Sequence, residues 1–133
     1  MEHIKELFKK DKFAEHAGIE ILEVSGGRSR VKMDIKDHHL NGLKTVHGGA
    51  IFTLADLAFA VAANTHGNVA VAINANISYM KAISEGTLYA EAEEISINPK
   101  IATYTVNITD DNGDIIAIFQ GMAYRKKNKV NGN

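Results

Sequence analysis

Asp56 lies within the run Ala50–Ala63, AIFTLADLAFAVAA, flanked by Ala55 and Leu57 and with no Lys or Arg in the run. A carboxylate among such neighbours is expensive to ionise, because desolvation raises its pKa unless donors or positive dipoles compensate. It reads as a functional acid, or as a residue on a thin solvent-facing stripe. Gly48 and Gly49 open the same run. Without side chains they leave backbone N–H groups unobstructed at the positive end of a helix, where an anion or the oxyanion of a tetrahedral intermediate is stabilised. The same two glycines also suit a tight turn or close packing. His47 precedes them and reads equally as a helix cap and as a catalytic imidazole.

Spacing relates these residues to one another. Gly48 and Asp56 are eight positions apart, which on one helix is about 12 Å of rise and an angular offset of about 80°. An attacking or deprotonating carboxylate must come within about 3–3.5 Å of the group whose oxyanion the donors hold. One helix does not easily supply both. Two copies with helices packed antiparallel about a two-fold axis bring the amino terminus of one near the middle of the other. The expectation is a composite site, two per dimer.

The elements that must position these residues follow from pattern. Ile4, Leu7, Phe8 and Phe13 recur at helical spacing over residues 2 to about 16, with Asp11 able to restart the helix and Gly18 ending it. GIEILEVS and RSRVKMDI flank Gly26-Gly27 and read as a hairpin. A polar loop spans Lys36–Thr45. The helix from the Gly48-Gly49 pair fits about five turns, with Asn64 and Gly67 as its stop residues, and being apolar nearly all round it is expected to be enclosed. Four β-like runs follow, VAVAINANISYMKAI, TLYAEAEEISI, KIATYTVNITD and DIIAIFQGMAYRKK, separated by turn residues at Ser84–Gly86, Asn98-Pro99 and Asp111–Gly113. The order gives an α+β class, with long antiparallel strands curved around one central helix.

Composition narrows the chemistry. The chain has 133 residues with 15 basic and 16 acidic side chains, which suits one domain over 1–133 and gives no general pull toward nucleic acid. Zero cysteines exclude disulfides, thiolate metal sites and a thiol nucleophile. The six histidines are scattered, and the adjacent His38 and His39 read as a solvated loop, so no metal or other cofactor is expected. The amino terminus lacks an apolar signal core, and the run Ala50–Ala63 is short of the roughly 20 residues that span a bilayer. A cytoplasmic chain with no membrane partner is the expectation.

The segment NGLKTVHGGAIFTLADLAFAVAAN, with NISYMKA downstream, resembles the hotdog-fold acyl-CoA thioesterases of the phenylacetate-degradation (PaaI-like) group. The specific part is Asn41, then His47-Gly48-Gly49, then Asp56, on a helix followed by four long strands. The resemblance implies a hotdog fold and hydrolysis of acyl-CoA thioesters, aryl-acetyl or other small to medium acyl groups. It implies Asp56 as nucleophile or general base and Gly48 as the oxyanion donor. Asn41 would hold the acid or the water, and His47 would lie near the thioester. It also implies self-association as a dimer or tetramer. Two departures stand out: Ala and Asn74 occupy the strand where some relatives place a water-orienting Ser, and Lys81-Ala82 replaces an Arg-Pro pair. Lys81 and the basic stretch Arg125–Lys129 are candidates for the coenzyme A phosphates, and Phe59, Tyr79 and Met80 for the acyl pocket. Acyl-thioester hydration or dehydration, and acyl-CoA binding without turnover, are the alternatives.

Overall fold

The structure, a computed structural model, describes residues 1–130. Two short helices begin the chain, α1 (Glu2–Phe8) and α2 (Lys12–Ala17). Asp11 separates them as expected: its Oδ1 accepts the Ala14 N–H at 3.0 Å and caps α2. Gly18, at φ 79°, closes α2 in the left-handed conformation.

A hairpin of β1 (Ile19–Ser25) and β2 (Arg28–Asp34) follows, turning at Gly26-Gly27 with Gly27 at φ 71°. Next come a 3-10 turn at Asp37–His39, the helix α3 (Gly48–Ala63), and strands β3 (Asn68–Tyr79), β4 (Thr87–Ile97), β5 (Ile101–Thr109) and β6 (Ile115–Lys129). All six strands form one antiparallel sheet in the order β1-β2-β4-β5-β6-β3.

Alternation along the strands turns one face toward α3. Val31, Met33, Leu88, Ala90, Tyr104, Val106, Ile108 and Phe119 are buried there against Leu54, Ala55, Ala58 and Phe59. An aromatic cluster fixes the middle of the contact: Phe59 meets Tyr104 at 5.6 Å and Phe119 at 5.7 Å between ring centroids. A smaller cluster of Ile4, Ala14, Leu57 and Val61 seats α1 and α2 against the flank of α3.

Three sequence expectations are sharpened or changed here. Of the two stop residues it is Asn64, not Gly67, that ends the helix, at Ala63, because Asn64 turns its side chain back on the helix. Its Nδ2 donates to the Ala60 and Ala70 carbonyls at 2.8 and 3.3 Å, and its Oδ1 accepts the Ala70 N–H at 2.9 Å. That staple closes the turn over 64–67 that leads into β3. Nor is α3 enclosed: Gly49, Thr53, Asp56 and Ala60, at helical spacing, form a stripe that nothing in the same chain fully covers. Last, β3 stops at Tyr79, and Met80 and Lys81 both direct their N–H groups to the Ile116 carbonyl.

Candidate functional site

The start of α3 is shaped by the two glycines and what lies against them. His47 caps the helix, its Nδ1 accepting the Gly49 N–H at 2.8 Å. An accepting Nδ1 carries no proton, so the ring is neutral with its hydrogen on Nε2. The sequence expectation of two unobstructed donors is therefore halved. The Gly48 N–H remains, with no acceptor among the described residues. Both glycines are favoured by close approach and not by φ: a Cβ at Gly49 would lie 2.9 Å from His47 Nδ1, and one at Gly48 would lie 3.1 Å from the Tyr79 hydroxyl oxygen, so either would displace the side chain that binds there.

The loop leading into this point is held firmly. Asn41 Oδ1 accepts the Leu43 and Thr45 N–H groups at 2.8 and 3.2 Å, and Nδ2 donates to Thr45 Oγ1 at 3.0 Å. Its amide is committed to its own turn and does not approach Asp56 of the same chain by any hydrogen bond. His39 is not solvated, contrary to the sequence expectation; it is 4% exposed. Its Nδ1 accepts the Lys36 N–H at 2.9 Å and its Nε2 donates to the Ala17 carbonyl at 2.7 Å, tying the loop to the end of α2. The His47 N–H then bonds the His39 carbonyl at 2.7 Å.

Asp56 sits on the open stripe of α3, two turns beyond Gly48. Burial raises its pKa above the ordinary carboxylate range, and the charge of Asp11 on the N-terminal helices raises it further; no hydrogen bond opposes them. The carboxylate borders an open apolar depression of about 200 Å³ between α3 and β3. Phe59, Ala60, Ala63, Ala70, Val71, Ala72 and Ala123 complete the lining. Phe59, expected near an acyl group, is 1% exposed and mainly a core residue that reaches the depression at its edge. Lys81 lies past the end of β3, where its ammonium bonds Asp114 at 2.8 Å and lies 3.9 Å from Asp110.

One chain therefore sets His47 and Gly48 at the start of α3, holds Asn41 in the turn that leads to them, and leaves Asp56 about 12 Å along the same helix. Tyr79 joins the first group, its hydroxyl donating to the Gly48 carbonyl at 2.9 Å. Sequence reasoning placed Tyr79 near the site without finding this bond, since no periodicity reports a contact between a strand end and a helix start. Among the described residues, no group of three or more His, Asp or Glu side chains is placed to hold a metal ion. None of the described helices is long and apolar enough to cross a membrane.

Comparison with known proteins places this geometry in context. Residues 43–117 match the thioesterase superfamily. Acyl-coenzyme A thioesterase PaaI of Escherichia coli is 32% identical over 127 residues, covering 95% of this chain and 91% of that protein. A protein of Archaeoglobus fulgidus is 44% identical over 127 residues, covering 94% of this chain and 82% of its own length. The solved structure of E. coli PaaI, from the phenylacetic acid degradation operon, superposes with a TM-score of 0.92 at 29% identity, over 96% of this chain and 94% of that one. A mutant form of the phenylacetic acid degradation protein PaaI from Thermus thermophilus gives 0.82 at 33% identity, over 86% and 98%. The six-stranded antiparallel sheet packed on a central helix is the hotdog fold of these proteins.

Proposed function

Because the chain belongs to the thioesterase superfamily and is a thioester hydrolase, we propose that it cleaves acyl-CoA thioesters at a site shared by two copies of itself. The observation that carries this reading is the separation on α3 between a free donor, the Gly48 N–H, and a half-buried carboxylate with no donor of its own, Asp56. Each lacks what the other supplies. A two-fold axis that sets the open stripes of two α3 helices against each other brings Gly48 of one copy to Asp56 of the other.

The thioester carbonyl then rests against the amino terminus of one helix, and Asp56 of the facing helix acts on it. Asp56 attacks the carbonyl carbon, giving an anhydride that water opens, or it takes a proton from the attacking water. In either course the oxyanion charge falls on the Gly48 N–H and the helix dipole, the C–S bond breaks, and coenzyme A leaves as the thiol with the free acid as co-product. The facing helix end also supplies the positive potential that an ionised Asp56 lacks within its own chain. Asn41 contributes by shaping the loop that presents Gly48, and its second role toward the acid or water falls across the pair. Lys81 would release Asp114 to reach a coenzyme A phosphate. The shallow alanine-floored depression beside Asp56 suits aryl-acetyl or other small to medium acyl groups.

The capping bond of His47 weighs against acyl-thioester hydration or dehydration, which needs an imidazole free to exchange protons with substrate. Thiol release from a panel of aryl-acetyl, benzoyl, short-chain and long-chain acyl-CoA substrates tests the proposal. Asp56→Asn is expected to lower kcat by about 10²–10⁴-fold with the dimer retained. Near-normal turnover in that variant removes the acid from the mechanism.

A further inference from the structure

We infer that Tyr79 is the positioning residue for the oxyanion donor: from the end of β3 it clamps the peptide that follows Gly48, so that the Gly48 N–H is held at one angle toward the thioester. This rests on the proposed hydrolysis and adds to it a residue that touches no reacting atom.

Four contacts carry the argument. The Gly48 carbonyl accepts the Tyr79 hydroxyl at 2.9 Å. The same peptide unit's N–H, that of Gly49, is taken by His47 Nδ1 at 2.8 Å. That peptide is thereby pinned at both ends by side chains. The preceding unit is pinned at its carbonyl, where His47 accepts the Ala50 and Ile51 N–H groups at 2.9 and 3.2 Å. The donor left free in this stretch, the Gly48 N–H, belongs to that unit, and the unit that follows it is the one Tyr79 and His47 pin.

A glycine so placed would ordinarily be free to rotate, since it lacks the Cβ that restricts φ and ψ. Here the tyrosine ring fills that space, its Cζ only 3.2 Å from where the Cβ would stand. Gly48 admits the ring, and the ring removes the freedom that glycine brings. Donors fixed before the reaction cost no reorganisation as charge develops on the oxygen, which is where such stabilisation is largest.

The placement on β3 adds a reason for the rigidity. Asn64 ties the start of this strand to the end of α3, and Tyr79 ties the strand's end to the start of α3. Strand and helix are stapled at both ends. Partial burial raises the phenol pKa, so the hydroxyl stays a donor through the pH range in which a carboxylate works. At 52% exposure the ring keeps one side toward solvent or substrate.

The test is Tyr79→Phe in the full chain, which deletes the hydroxyl and keeps the ring. With phenylacetyl-CoA as substrate, kcat is expected to fall about tenfold while KM stays within about twofold, the pattern of an interaction lost only in the transition state. Thermal midpoint and oligomeric state are expected to stay at wild-type values. The Gly48 and Gly49 amide signals in ¹⁵N-resolved NMR of the variant should shift or broaden, with Ala55 unmoved. An unchanged kcat, or a raised KM at constant kcat, overturns the inference. If the wild type releases no thiol from any acyl-CoA, the proposed function fails on its own account. The amide signals still decide whether Tyr79 fixes Gly48, and unmoved signals overturn it.

Discussion

The two edges of the sheet are treated in opposite ways. β1 is short, 7 residues, bulged between Ile21 and Glu23, and carries Glu20 and Glu23 outward. α1 and α2 pack beside it, with Phe8, Ile19 and Ile21 joining the small cluster on Leu57. The outer face continues the same character inward: Arg28 pairs with Glu93 at 2.9 Å, Arg30 with Glu91 at 3.2 Å, and Arg30 also stacks over Tyr89 at 4.6 Å. β3 is 12 residues, NVAVAINANISY, without a single charge, and most of it is exposed. Its bulges lie toward the Asn68 end, which leaves Asn74–Tyr79 in unbroken register with β6. A long, uncharged, uncovered edge is one that another strand can pair with. The contrast is between a covered, charged edge at β1 and an uncovered, uncharged one at β3, which lines the depression beside Asp56 and is the edge that the proposed pairing of two copies would use.

Charging each edge in turn is the strongest way to break this contrast. Ala75→Lys puts an ammonium in the unbroken stretch of β3, and the expected outcome is a folded monomer by sedimentation with thiol release down about a hundredfold or more, because the two sites proposed to be shared would come apart. Ser25→Lys on β1 should change neither measurement.

The second test uses the pKa of Asp56 in the separated chain. Its folded pKa is raised, so the folded state holds the proton longer than the unfolded chain does. Stability therefore falls as pH rises from the ordinary carboxylate value, about 3.9, through the raised one, and stays lower above it. In the Ala75→Lys background, Asp56→Asn should accordingly raise the thermal midpoint at pH 7 and make no difference at low pH. In the proposed dimer the gain should shrink, since the facing helix end would compensate the charge. Equal gains in both backgrounds would remove that compensation.

The smallest effects separate the two halves by packing alone. Gly121 on β6 faces Phe59, and a Cβ there would lie 2.8 Å from the ring. Gly121→Ala should cost about 1–3 kcal/mol in urea unfolding, as overpacked cores do. Arg28→Ala on the other half removes only an exposed, solvent-screened pair and should leave the urea midpoint almost unmoved.

Much of this was legible in the sequence where the signal is local. Asp11 caps α2 because a short side-chain acid can reach the N–H three residues on. Gly26-Gly27 turn the hairpin because Gly27 takes a positive φ. Asp56 stands out because it is an acid without a local counter-charge in an apolar run, and of its two readings the solvent-facing stripe is where the structure places it, which leaves the functional one to the proposal. What was missed depends on contacts between distant elements. The His38-His39 pair reads as a solvated loop, yet His39 bolts that loop to α2; the second glycine N–H reads as free, yet His47 takes it.

By itself the sequence determined the elements, the one misplaced carboxylate, the glycine-led start of its helix and the distance between them, since rise and angle per residue are fixed once a helix is granted. The tertiary structure alone decided which strand became the open edge, which stripe of α3 stayed bare and which backbone donor stayed free. Those outcomes follow from sheet order, and sheet order depends on which faces meet across long stretches of chain. Alternating patterns record that a face is apolar but not what it packs against. Tyr79 marks the boundary: the sequence places it at the end of a strand, and only the closure of that strand over α3 brings its hydroxyl to Gly48.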